Sequence, residues 1–130
     1  MKKFILILFF FAAIKISSAQ LSLTFCEDVS NDGQASMASN SFMISKNGSA
    51  LKVLLKSDSR LAMQDLTFKI FYINEFGKEE EITDLPQQVN PDWNYVWKEV
   101  VFFDPGNYRV KVYNSKGDYL TSANLNVKQQ

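Results

Sequence analysis

Phe103-Asp104-Pro105-Gly106-Asn107-Tyr108-Arg109-Val110-Lys111-Val112-Tyr113 runs from a Pro-Gly turn into a strand. From Tyr108 onward every second residue is apolar or aromatic, and Arg109 and Lys111 fill the alternate positions. Side chains on a β-strand point to opposite faces in turn, so this pattern makes one buried face and one solvated face. Leu66-Thr67-Phe68-Lys69-Ile70-Phe71-Tyr72 repeats it, as does Leu51-Lys52-Val53-Leu54-Leu55-Lys56.

Working outward, the same period marks the rest of the chain. Leu21, Leu23 and Phe25 share one face of a first strand, and Phe42 and Ile44 mark a short second one. Glu79 to Thr83 reads as a charged strand, Val96 to Phe103 as another, and Tyr119 to Val127 as the last, with Ala123, Leu125 and Val127 inward. Between them lie Asn31-Asp32-Gly33, Lys46-Asn47-Gly48, Ser57-Asp58-Ser59, Asn90-Pro91-Asp92 and Asn114-Ser115-Lys116-Gly117-Asp118. Turn residues at this rhythm predict an all-β, antiparallel sandwich of seven or eight strands. One helical turn is expected within Arg60 to Leu66. No segment pairs a long helical period with a following strand, which argues against a βαβ enzyme core.

The chain has 130 residues, 14 Lys+Arg, 14 Asp+Glu, one Cys and no His. That length fits a single domain. Without His there is no Ser-His-Asp triad, no Cys-His pair and no His-containing zinc site. One Cys excludes an intrachain disulfide.

Residues 1–19 read as a secretory signal peptide. Lys2 and Lys3 are the basic start, Phe4 to Ile14 an apolar run, and Ser17-Ser18-Ala19 a small-residue cleavage site. Eleven helical residues rise about 16 Å against a hydrocarbon core of about 30 Å, too short for a comfortable span. Removing 1–19 takes three lysines with it, leaving 20–130 as the mature domain with eleven basic and fourteen acidic residues. That mild negative balance argues against nucleic acid as partner. No further apolar run approaches membrane length, so the expected location is secreted or periplasmic. Phe25 before Cys26 does not suit a lipidation site.

The corner segment resembles the penultimate hairpin of immunoglobulin-like domains, most closely the PKD-type modules of bacterial secreted proteins. The shared pattern is Asp104-x-Gly106-x-Tyr108-x-Val110, a turn, and a last strand ending Leu125-Asn126-Val127. The resemblance implies an Ig-like sandwich in which Asp104 and Gly106 shape the corner and the Tyr108 hydroxyl bonds back to backbone. Val110 stands where antibody domains place a Cys. The strand Leu66–Ile73 lacks their buried Trp. The layout as a whole also resembles small secreted proteins of Bacteroidetes-type bacteria.

Trp93, Tyr95 and Trp97 are the candidate ligand-binding residues. On a straight strand all three project from one face, as sugar-stacking aromatics do. The competing expectation is that they fill the space between the sheets, with a bulge changing phase midway, because both phases turn apolar toward Phe103. Other constellations carry less. Asp28 to Gly33 resembles the opening of a Ca²⁺ loop, but Ser39 stands where the bidentate Glu belongs. Glu79 and Glu81 share a strand face without apolar surroundings to raise a pKa, so they read as charge protecting an edge strand. Cys26 has no base to activate it and is expected buried. Asn47-Gly48-Ser49 matches a glycosylation sequon and reads as a hairpin turn. No catalytic residue, metal or cofactor is indicated. The expectation is a non-catalytic binding module for a protein partner or cell surface, anchored by exposed aromatics among which Tyr95, Tyr113 and Tyr119 are candidates. The alternatives are a carbohydrate-binding module and a small inhibitor or subunit that pairs at a sheet edge.

Overall fold

The computed structural model describes residues 20–130, and the signal peptide read at 1–19 lies outside them. Ten strands form: β1 Leu21–Cys26, β2 Asp28–Val29, β3 Ala35–Ser36, β4 Ser41–Ile44, β5 Ser49–Ser57, β6 Asp65–Ile73, β7 Glu79–Gln88, β8 Tyr95–Phe102, β9 Gly106–Asn114 and β10 Tyr119–Gln129. Eight of them build two facing sheets, three-stranded β1-β5-β8 and five-stranded β4-β10-β9-β6-β7. The remaining pair, β2 and β3, is a small separate hairpin.

The inward rows are those the alternation marks. Leu51, Val53 and Leu55 on β5 face Leu66, Phe68 and Ile70 on β6 and Val110 and Val112 on β9, in a shared buried cluster. Each such side chain removed from water contributes about 1.5–3 kcal/mol, which is why a second sheet must cover each row. Polar residues alternate outward, as in Lys69 and Lys111, which sit directly opposite each other on neighbouring strands.

The corner forms as the resemblance implies. The Tyr108 hydroxyl donates to the Asp104 carbonyl at 2.7 Å, and burial pushes the phenol's pKa up. Its ring meets Tyr72 and Phe102 edge-on, at 5.5 and 5.0 Å between centroids. Two of the hairpin turns share one solution. Asn74 Oδ1 accepts from the Phe76 and Lys78 amides, Asn114 Oδ1 accepts from those of Lys116 and Asp118, and a positive-φ glycine follows in each turn.

Four expectations are corrected. The sandwich is not wholly antiparallel, because β4 runs parallel to β10. The charged strand extends past Thr83 to Gln88; it includes Pro86, which a strand tolerates only at an edge. Arg60–Leu66 contains no helical turn: Leu61 is buried, and the Leu61 and Ala62 amides bond to the Trp93 and Pro91 carbonyls. No bulge interrupts β8, whose register against β5 is continuous. Its even residues Val96, Val100 and Phe102 are therefore buried, and its odd residues all face outward.

Candidate functional site

Trp93, Tyr95 and Trp97 lie together outside the core. They line one open cleft of about 540 Å³, with Gln87 on the facing sheet and Val96 and Lys98 on β8. The expected burial between the sheets does not occur, because Tyr95 and Trp97 take the outward phase of β8 and Trp93 precedes the strand. Trp93 is 50% and Trp97 37% exposed, while Tyr95 is half-buried.

The chain itself occupies part of this aromatic surface. The β2–β3 hairpin folds over the outer face of β1-β5-β8, and its tip meets Tyr95. The Tyr95 hydroxyl donates to the Asn31 carbonyl at 2.5 Å. Gly33, at φ +83°, lies so close that an added Cβ would stand 2.7 Å from the ring. Behind the tip, Lys52 bonds Asp28 at 2.6 Å and holds its ammonium 4.5 Å from the centre of the Trp97 ring. The hydrogen bond from Lys52, with one from the Val29 amide, holds the Asp28 carboxyl below its ordinary pKa. Tyr95 and Trp97 thus each have one ring side engaged, and Trp93 at the loop end is the freest of the three.

That covering explains two buried residues on the outward phase. Cys26 and Leu54 point away from the sandwich core, yet both are almost fully buried. The Cys26 thiol donates to the Lys52 carbonyl at 3.7 Å, and burial raises its pKa. Asp28 to Gly33, read as a Ca²⁺-like opening, is spent on this hairpin: Asp28 pairs with Lys52, and Asp32 accepts from the Ser30 hydroxyl. Among the described residues no group of three or more His, Cys, Asp or Glu side chains is placed to hold a metal ion.

The other aromatic anchors do not join the cleft. Tyr113 and Tyr119 pack edge-on at 5.9 Å on the outer face of the five-stranded sheet. On that same face Glu79 accepts from Arg109 and from Lys111, the latter at 2.7 Å, and Glu81 lies 3.6 Å from Lys69. Glu79 is therefore a half-buried ion-pair centre rather than free charge, and the Lys111 bond, followed by that of Arg109, lowers its pKa. A carboxyl held low in the folded state stabilises above its unfolded pKa and loses that contribution as pH falls through the folded value. Wild type should accordingly lose stability faster than Glu79→Gln as pH falls below the ordinary glutamate range, and the two denaturation midpoints should converge once the folded-state carboxyl is protonated.

Sequence reasoning found the three aromatics but missed Gln87, which the edge of the facing sheet brings beside them, and Val96 and Lys98 of β8 itself. It also missed the hairpin lying over them. One signal was present: Phe25-Cys26 and Val53-Leu54-Leu55 are apolar in both phases, the pattern of a strand covered on two sides.

No protein-family model matches the sequence, and no curated protein matches it. Solved structures do resemble it. An immunoglobulin-like protein from Pseudomonas aeruginosa aligns over 86% of this chain and 98% of its own, at 11% identity and a TM-score of 0.53. A CARDB domain from Pyrococcus furiosus, solved with di-metal ions, aligns over 87% and 94%, at 7% identity and a TM-score of 0.45. A Pseudomonas fluorescens alkylpurine DNA glycosylase aligns over 89% of this chain but 32% of its own, at 15% identity and a TM-score of 0.42. At such identities the first likeness speaks for architecture alone, and with the sheet topology and the tyrosine corner it makes this chain an immunoglobulin-like β-sandwich.

Proposed function

We propose that this protein is a secreted or periplasmic, non-catalytic binding module that recognises a protein partner through the Trp93–Tyr95–Trp97 cleft. The observation that carries the reading is the convergence of three large aromatic side chains in one open cleft on a surface they do not need for the core. Tryptophan and tyrosine supply much of the energy at protein interfaces when packed in a partner's pocket. Contacts from Gly33 on Tyr95 and from Lys52 on Trp97 set those rings before any partner arrives, which lowers the ordering cost of binding. Sugar stacking is less favoured, because two of the three rings have a side already engaged by Gly33 and Lys52.

The test is capture of a partner from the producing organism's envelope and growth medium, with Trp93→Ala and Trp97→Ala beside wild type. Each substitution should weaken capture at least about tenfold, the usual effect of removing an interface anchor. Both variants should keep a near-native melting temperature, since neither side chain is in the core. Undiminished capture by both would end this reading. A glycan-array signal abolished by Trp97→Ala would replace the protein partner with a carbohydrate.

A further inference from the structure

The cleft runs along the open edge of β8, and the backbone there is unpaired. The Ser57 amide donates to the Asn94 carbonyl at 2.8 Å, one step beyond the Lys56–Tyr95 register. In an antiparallel ladder, hydrogen-bonded and non-hydrogen-bonded pairs alternate. Val96, Lys98, Val100 and Phe102 therefore turn their N–H and C=O groups toward β5. Tyr95, Trp97, Glu99 and Val101 turn theirs outward, where no strand among the described residues pairs with β8.

The two sheets are also unequal there. Three strands face five, β8 ends the smaller sheet, and Gln87 of β7 shares its cleft. The inner row of β7 is left short of cover: Leu85 and Gln87 are half-exposed, and Thr83 is exposed although it pairs with buried Ile70. A strand laid beside β8 would cover this row. The outer edge of β7 itself carries Glu79, Glu80, Glu81, Asp84 and Pro86, the usual devices against strand pairing. The outward-facing groups of β8 carry one charge, at Glu99.

Resting on the binding reading above, we infer that β8 accepts an extended polypeptide segment of the partner as a fourth, antiparallel strand. The inner face of β8 specifies that segment. Val96, Lys98 and Val100 are its successive inward residues, and Lys98 makes no ion pair among the described residues. The incoming strand places an acidic side chain opposite Lys98, flanked two residues away on each side by aliphatic ones. Its free N–H and C=O groups meet those of Trp97 and Glu99. Proline is excluded at its bonding positions.

The probe is a capped seven-residue peptide of alternating threonine with valine, glutamate and valine inward, titrated against tryptophan fluorescence. Glu99→Pro deletes an outward amide without touching the β5 ladder, and Glu99→Ala controls for the side chain. Binding should fall at least about tenfold with Glu99→Pro and hold with Glu99→Ala. Lys98→Glu, which leaves the backbone alone, should lose the glutamate peptide about tenfold and gain a lysine version of it. Amide exchange at Trp97 and Glu99 should be fast in the free protein and slow once the peptide binds. No binding at about 1 mM peptide, or equal binding by Glu99→Pro and wild type, overturns strand addition. If Glu99→Pro still captures the natural partner while Trp97→Ala does not, the aromatic cleft stands as the binding site and only the strand mechanism fails. If Trp93→Ala and Trp97→Ala also capture it undiminished, both readings fail.

Discussion

Phe68→Ala should lower the unfolding free energy by about 3–5 kcal/mol, the cost of deleting a buried phenylalanine and leaving a cavity. Phe68 is fully buried at the middle of β6, with Leu85 and Val112 beside it on the flanking strands. Both neighbours are held in ladders and cannot collapse into the space, which places the loss toward the upper end. A domain of this size has about 5–15 kcal/mol in all, so the variant should sit near the limit of folding. Urea denaturation is the measurement: the midpoint should drop while the slope stays constant. Phe76 is the internal comparison. It is 86% exposed at the tip of the β6–β7 turn, and Phe76→Ala should move stability by no more than about 0.5 kcal/mol. Equal losses at both positions would mean that the alternation does not separate core from surface.

That alternation was legible because sheet geometry acts on it locally: a residue's face follows from its parity along the strand. Phe68 and Phe71 are both phenylalanines of β6, and parity alone sends the first inward and the second outward. Parity does not say which strands become neighbours. The parallel pairing of β4 with β10 joins residues some eighty positions apart, and nothing in Ser41–Ile44 announces it. Nor does parity say what covers an outward face. Trp97 and Leu54 sit side by side on the outer face of the smaller sheet, yet Leu54 is buried and Trp97 is not. The difference comes from how the chain between β1 and β4 folds back, a tertiary event without a period. The three aromatics were identified by residue type and spacing. Their role in a cleft depends on the inequality of the two sheets, which no short window of sequence contains.

Gly106→Ala should cost about 2–4 kcal/mol, by two routes that can be separated. Gly106 has φ +148°, a conformation costing any L side chain about 1–3 kcal/mol. An added Cβ would also stand 2.5 Å from Tyr72 Cε1. Tyr72 has little room to retreat, because its ring packs edge-on against Tyr108, which is pinned by its bond to Asp104 and packs edge-on against Phe102 as well. The corner pattern therefore has a steric logic: glycine at 106 lets the Tyr72 ring lie against the backbone two residues before Tyr108. A cycle with Tyr72→Val separates the routes. If the ring clash dominates, Gly106→Ala becomes at least about 1 kcal/mol cheaper in the Tyr72→Val background. If the backbone angle dominates, the two losses add. Because Tyr72 is hemmed in on the Tyr108 side, the coupled result is expected. Simple additivity would assign the glycine to the turn alone and leave the Tyr72–Tyr108 pair as packing that merely tolerates it.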